Sequence, residues 1–517
     1  MAQGQESQAR SVETASQLAS PAGAGNGAQL APPDPSSSVA ADPQAAALSA
    51  ASKRLLPWLV AVALFMESLD TTILNTAVPA VAAALKVPPL SMKSVLASYT
   101  LSLAVFIPIS GWMADKFGTR RLFASAIGIF TLGSLLCGVS SDIHLLVACR
   151  VLQGCGGAMM VPVGRLTLVR TFAKSELLRA MSFISIPALV APMLGPIAGG
   201  LIVGYLHWRY IFFLNVPIGL FGLVLVYLHL PNYCDKDVKP LDFVGLILFG
   251  SGIALLSYVL EIFGEHTLSS REVIGLLALS VFLLVGYVLH ARGIPNPLLH
   301  LNLFRIRTFR AAVSGSFVTR LGMGGVPFLL PLLYQLGLGF TAIQSGLLIM
   351  PQALGALSMK FVLSRLLNAI GYRGVLVSNT LLVGLLMMAF ATIGVHTPVW
   401  LILLLAFAYG AFSSLQYTSM NTLAFADTTE AEASNASSIA STVQQMAISF
   451  GVAIAGLTTA FFLPSAFGAQ PQEVIRGLHI AFVLLGGLTM ISTIVFRILR
   501  SGDGDDVSRR KALHSGE

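Results

Sequence analysis

Five ionisable side chains stand where the surrounding sequence makes charge expensive. Glu67 and Asp70 lie in the first long apolar run, and Arg150, Arg320 and Lys360 interrupt three later ones. Asp70 is 13 residues beyond Pro57, roughly 20 Å along a helix at 1.5 Å per residue. An ionised carboxylate so deep in an apolar medium is costly, which makes taking up and releasing a proton its natural chemistry. Glu67, three positions earlier, shares that helical face and that chemistry. For both acids a structural pairing with a neighbouring helix is the alternative. Arg150 opens the fourth run, with Gln153 one turn on and Asn75 of the first run as a candidate neighbour. A guanidinium beside Asp70 would keep the acid ionised until substrate or a conformational change separates the two. A permanent salt bridge is again the alternative.

The second half carries bases without acids. Arg320 falls about 15 Å into its run, too central for easy snorkelling, whereas Lys360 is closer to an inner end and can reach out. The nearest acids, Asp427, Glu430 and Glu432, lie in an inner loop. Amides and a hydroxyl fill the rest: Gln335, Gln352, Ser413, Gln416, Asn421, Gln444 and Gln445. Arg320 should therefore face a cavity, pairing with an acid or holding an anionic group of a substrate. Gln352, Lys360, Gln416, Asn421 and Gln444 are the expected cavity partners, with Asn75, Gln153 and Arg320. This inventory suits a carboxylate better than a lipophilic cation.

The elements that position these residues follow from composition. Of 517 residues 55% are hydrophobic and 10% charged, with a mean hydropathy of +0.80. Soluble chains carry about 25% charged residues, so lipid must solvate much of this surface. A helix needs about 20 residues to cross the hydrocarbon. Fourteen such runs appear, near 57–84, 94–114, 121–140, 143–166, 180–204, 210–230, 242–262, 273–291, 311–336, 343–366, 373–394, 399–424, 435–464 and 478–498. The spacing predicts an all-α polytopic membrane protein of 6 + 2 + 6 helices. Residues 54–232 would form one six-helix bundle, 233–295 a two-helix insertion and 296–498 a second bundle. With both termini in the cytoplasm, 23 of the 31 lysines and arginines fall in tails and inner loops, five in outer loops and three within spans. That asymmetry fixes the orientation and makes the net charge of +8 a topology signal, leaving nucleic acid without support as a partner. Residues 1–53, rich in Ala, Ser, Pro, Gly and Gln, read as a disordered cytoplasmic tail with no signal peptide, and 499–517 as a second tail. The four cysteines have neither disulfide nor zinc spacing, so no metal is expected.

One short gap between runs concentrates charge: GWMADKFGTRR, Gly111 to Arg121. DKFGTRR has a partner 253 residues on, NAIGYRG, in which Asn368, Gly371 and Arg373 align with Asp115, Gly118 and Arg120. Internal repeats are common in secondary transporters, whose halves rock about a central site. The stretch resembles the loop 2–3 signature of the major facilitator superfamily, G-x-x-x-D-x-x-G-x-R-[RK], through Gly111, Asp115, Gly118, Arg120 and Arg121. LDTTILNTAVP (69–79), RVLQGCGGAMMVP (150–162) and GPIAGG (195–200) are similar to the helix 1, helix 4 and helix 5 motifs of its fourteen-helix drug:proton antiporters. HWRYIFFLNVPIG (207–219) looks like their lead into helix 6. The likeness covers about residues 55–500, nearest to the multidrug-exporter branch. Glu67 departs from that pattern, where its position varies.

The resemblance implies a major facilitator fold and a monomer in the cell inner membrane. It also implies export of drugs or toxic compounds in exchange for protons. Asp70 and Arg150 would then serve proton coupling, Arg150 as the helix 4 arginine, and Gly195, Pro196, Gly199 and Gly200 would favour exchange over leak. Asp115 is expected to pair with Arg120 or Arg121 and tie two helices together in one state, or else to be a solvated topology anchor. No cofactor is expected: there is no nucleotide-binding G-x-x-x-x-G-K-[ST], no H-E-x-x-H and no G-x-S-x-G. An enzyme or an inert sensor therefore has little behind it. An exporter of an organic anion, and less so a proton-symport importer, are the alternatives within transport.

Overall fold

The computed structural model describes residues 50–172, 174–235, 238–262, 269–429, 432–462, 470–500 and 502–504. The tail expected over 1–53 lies outside them as far as residue 49. Helix α1 already runs from Ala50 to Leu85. It is followed by α2 (Met92–Phe117), α3 (Thr119–Val139), α4 (Ile143–Thr171), α5 (Lys174–Tyr205) and α6 (Tyr210–His229). Helices α7 (Phe243–Ile262) and α8 (Ser270–Gly293) form the insertion, and α9 spans Arg307–Gly337. The segment Ala342–Ala389 is two helices, α10 (342–370) and α11 (372–389), broken at Gly371. The last three are α12 (Val399–Leu423), α13 (Ala433–Phe462) and α14 (Pro471–Phe496). No strand occurs among the described residues.

Twelve segments among the described residues are long and apolar enough to cross a membrane, against the fourteen expected. The difference has two sources. Residues 342–392 count as one segment although Gly371 divides them, and α5 contributes only a shorter apolar stretch, Val190–Tyr205. Gly371 (φ 69°) sits 253 residues after Gly118 (φ 90°), and each joins two helices of its half. A side chain is disfavoured at such φ values, so the repeated glycine is a backbone requirement of both turns.

Three apolar clusters show how the halves meet. One joins the outer ends of both halves: Ile73 to Ala82 of α1 and Met92 to Leu96 of α2 lie with Val326 to Tyr334 of α9 and Val474 to Leu485 of α14. A second, from Leu56 to Leu230, stays within the first half. The third holds Leu303 to Leu499 of the second half together with Phe249, Ile253, Tyr287 and Ala291 of the insertion. Among the described residues the halves are thus sealed toward the outside, and Leu101 of α2 is the one first-half side chain packed against the third cluster. This is an inward-facing arrangement.

The seal depends on α5. A Cβ at Gly199 would stand 2.2 Å from the Ile73 carbonyl oxygen of α1, and one at Gly200 2.6 Å from the Ala342 carbonyl oxygen of α10. One at Gly346 of α10 would meet the Pro196 carbonyl oxygen at 2.3 Å. Glycine alone permits these backbones to touch. The Thr76 hydroxyl also donates to the Pro196 carbonyl at 3.2 Å, and Gln335 of α9 donates to the Thr76 carbonyl at 2.8 Å. Across the other seam, Ser449 of α13 donates to the Ala97 carbonyl of α2 at 3.0 Å. Lys93, expected in an outer loop, is the second residue of α2 and is buried against Gly456 of α13.

The insertion is fastened at its cytoplasmic end by Asp242. Its carboxylate accepts from the Gly245 and Leu298 amides at 2.7 and 3.1 Å, and His290 of α8 lies 2.8 Å away. Burial pushes this carboxyl up, but the bonds from His290 and the two amides outweigh it and hold the group below its ordinary range. Helix α8 leaves Ile274, Phe282 and Leu289 exposed, a face suited to lipid.

Candidate functional site

Asp70 and Arg150 meet inside the first half, both 1% exposed. Arg150 Nη1 donates to Asp70 Oδ2 at 2.5 Å and to Gln153 Oε1 at 2.7 Å. Gln153 Nε2 in turn donates to Asp70 Oδ1 at 2.9 Å and to Ser134 Oγ at 2.6 Å. Asn215 Nδ2 adds a third donor to the same carboxylate, at 3.1 Å. The guanidinium lies over the Tyr99 ring at 4.5 Å, and its Nε reaches the Val95 carbonyl at 3.5 Å. Every group around Asp70 donates, the pattern that fits an ionised, acceptor-only carboxylate. Helices α1, α2, α3, α4 and α6 all contribute.

Local sequence explains the convergence. Asp142 caps α4 by accepting from the His144 and Leu145 amides, bonds that hold its exposed carboxyl below the ordinary range. That start places Arg150 two turns inside α4, a correction to the expectation that it opens the helix. In the run GCGG, a Cβ on Gly154 would stand 2.5 Å from Ser102 Cβ, and one on Gly156 2.5 Å from the Phe130 amide. The glycines therefore let α4 nest between α2 and α3. Gly133, whose Cβ would meet the Gln153 backbone at 2.7 Å, brings Gln153 onto Ser134.

Several expected members are placed differently. Asn75 turns to its own helix, bonding the Thr71 carbonyl at 3.4 Å, and takes no part in this network. Glu67 also stays out: half-buried one turn toward the cytoplasm, it lies in the field of Arg165 of α4. Asn215 and Ser134 were missed. Asn215 stands in the quoted helix 6 stretch as the one amide in an apolar run, the signal that should have marked it.

At the cytoplasmic end Asp115 pairs with Arg170 of α4 at 2.8 Å, and neither Arg120 nor Arg121 is its partner. The same Arg170 nitrogen reaches Asp235 at 3.0 Å. Arg120 and Arg121 belong to the first turn of α3, with Arg121 exposed, while Arg170 in the last turn of α4 comes alongside the end of α2. The segment after α6 lies along this corner: the Thr119 amide donates to the Tyr233 carbonyl and the Asp235 amide to the Asp115 carbonyl, both at 2.9 Å. Gly118 is needed here too, since a Cβ would collide with Asn232 Oδ1 at 2.3 Å. The partners named here lie in the first bundle and in the start of the segment 233–295, where the Lys239 carbonyl also accepts from the Trp112 indole at 2.8 Å. In this state the motif therefore ties the first bundle to the insertion; a Cβ at Gly111 would meet nothing within 4 Å.

In the second half Arg320 is 4% exposed on α9, its Nε bonded to Ser316 Oγ at 3.0 Å and its guanidinium 4.1 Å from the Tyr417 ring centre. No acid pairs with it among the described residues. Gln416, expected in the cavity, instead ties α12 to α11. It accepts from Asn379 and donates to Thr380, each at 2.8 Å, because its position faces the neighbouring helix. Lys360 and Asn421 are exposed, Gln444 is half-buried on α13, and Gln352 Nε2 is buried with no hydrogen-bond partner. No cluster of side chains that could hold a metal occurs among the described residues.

Comparison with known proteins fits this geometry. The model of the Major Facilitator Superfamily matches residues 60–452 and 312–515. A protein of Escherichia coli O7:K1 with the provisional name multidrug resistance protein MdtD is 42% identical over 426 residues, 82% of this chain and 89% of that one. Its namesake in Serratia proteamaculans is 41% identical over 405 residues, 78% and 85% of the two chains. Among solved structures, a D-xylose–proton symporter superposes with a TM-score of 0.63 at 13% identity, over 87% of this chain and 99% of that one. A bacterial homologue of the human lysosomal transporter Spinster, inward-facing and unoccupied, gives 0.61 at 14% identity, over 87% and 97%. At such identities the likeness is one of fold.

Proposed function

The chain belongs to the major facilitator superfamily, and from that premise we propose that it exports small molecules, drugs or toxic compounds among them, in exchange for protons. It is a multi-pass transporter of the inner membrane and not an enzyme. The observation that carries proton coupling is the sealed Asp70–Arg150 pair with its three donors.

Protonation of Asp70 would remove the charge that Arg150 balances and turn one carboxylate oxygen from acceptor into donor. Gln153 and Asn215 would then have to release or turn, and α1, α4 and α6 would loosen against one another. Only two global states are needed, one favoured by the proton and the other by substrate. The α5 seam supplies the surface about which they differ, since Gly199 and Gly200 touch α1 and α10 in the outward-closed arrangement. A proton crossing 100 mV contributes about 2.3 kcal/mol, enough for modest uphill export. Everted membrane vesicles containing the protein should drive a substrate inward when respiring and stop when a protonophore collapses the gradient. Undiminished transport after collapse would refute the coupling.

A further inference from the structure

We propose that Arg320, stacked on Tyr417 and tethered to Ser316, receives the carboxylate of an anionic substrate. This deepens the export reading and rests on it only in taking the bound molecule to be the one transported.

A guanidinium that is 96% buried needs a countercharge, because an unpaired ion in such a setting is strongly unfavourable. The second half does not supply one. Its spans contain a single acid, Glu473, exposed in the first turn of α14 at the outer end. Of the two acids on α1, Asp70 is committed to Arg150 and Glu67 lies in the field of Arg165, and neither bonds Arg320. Among the described residues no countercharge is available, and a bound anion would supply it.

The geometry also says what kind. Ser316, one turn back on α9, holds Nε, and Tyr417 covers one face of the guanidinium. What is left is the edge formed by Nη1 and Nη2, which no residue bonds among those described. That edge is the fork that takes a planar carboxylate side-on through two parallel bonds. Tyr417 of α12 fixes the plane of the fork, and the edge-to-face pair of Phe317 on α9 and Phe450 on α13, 6.4 Å apart, adds aromatic surface from the helix that carries Arg320 and from a third helix. An organic anion with an aromatic or otherwise apolar body fits these neighbours.

Fluorescein and rhodamine 6G share a xanthene body and carry opposite charge, so they separate charge from shape. Titrated by fluorescence anisotropy against the purified full-length protein, fluorescein should bind and be displaced by benzoate. Arg320→Gln should weaken fluorescein about tenfold or more, the loss expected for a charge-assisted pair. Arg320→Lys should give an intermediate loss, since charge returns without the fork. Rhodamine 6G should be affected by less than about twofold. Equal fluorescein binding by wild type and Arg320→Gln would overturn the proposal, as would a wild type that binds rhodamine 6G but not fluorescein. Should Arg320→Gln fail to fold, wild type alone decides through thermal protection. Benzoate should stabilise it while neutral benzamide and chloride do not, and protection by either benzamide or chloride equal to that by benzoate overturns the site. These measurements involve no gradient. Transport that ignores a protonophore would therefore remove proton coupling and leave the anion site standing.

Discussion

Replacing Asp70 by Asn is the sharpest test of the buried pair, and its cost follows from counting donors. Three side chains donate to the carboxylate, Arg150 on Oδ2 and Gln153 and Asn215 on Oδ1. An asparagine has one acceptor oxygen and one NH2. Whichever way it turns, the NH2 faces at least one N–H donor, and Arg150 is left without its countercharge. Removing one partner of a buried pair costs about 3–5 kcal/mol, most of it from the stranded ion. Arg150→Gln should cost a similar amount for the converse reason. The double variant Asp70→Asn/Arg150→Gln, which strands no ion, should cost about as much as either single change rather than their sum. Unfolding of the purified proteins in detergent measures all three, and additivity within about 0.5 kcal/mol would refute the pairing argument. In liposomes Asp70→Asn should abolish accumulation driven by a proton gradient while leaving exchange of labelled for unlabelled substrate in place. Uphill pumping at the wild-type rate would show that protons enter elsewhere, with Glu67 and its neighbour Arg165 the first place to look.

Three further outcomes follow from the packing. Gly200→Val would push its side chain into the Ala342 carbonyl oxygen, already 2.6 Å from a bare Cβ, so the outer seal should open. Greater labelling of a cysteine placed in the outer seam, compared with wild type, would report it. Gln416→Leu should cost about 1–3 kcal/mol by stranding Asn379 and Thr380, yet leave substrate preference unchanged; altered selectivity would return Gln416 to the cavity. Because Asp242 is held below its ordinary range, its fastening of α7 and α8 should be constant above the unfolded carboxylate value of about 3.9 and be lost as pH falls through its lower folded value. Protease sensitivity of the 290–300 segment against pH reads this, and cleavage that already rises well above a pH of about 4 would contradict it.

The sequence by itself determined what lipid and chain geometry dictate. Apolar runs of membrane length placed the helices to within about two turns at each end. Lysine and arginine asymmetry placed the cytoplasmic side, and the 253-residue repeat picked out Gly118 and Gly371 as equivalent turns. It also singled out Asp70, Arg150 and Gln153, because a charged or amide side chain in an apolar run is expensive enough to be conspicuous. Tertiary structure alone decided partners. Asp115 chose Arg170 over its neighbours Arg120 and Arg121 because the end of α4 lies against the end of α2, and adjacency in sequence says nothing about that. Asn215 and Ser134 joined Asp70, and Asn75 did not, through the direction in which each helix face happens to point. The same rotation sent Gln416 into a helix–helix contact and left Arg320 without an acid. One-dimensional pattern fixes how deep a residue lies, whereas its azimuth about the bundle is set by how glycine-rich surfaces such as GCGG and GPIAGG let neighbouring helices approach.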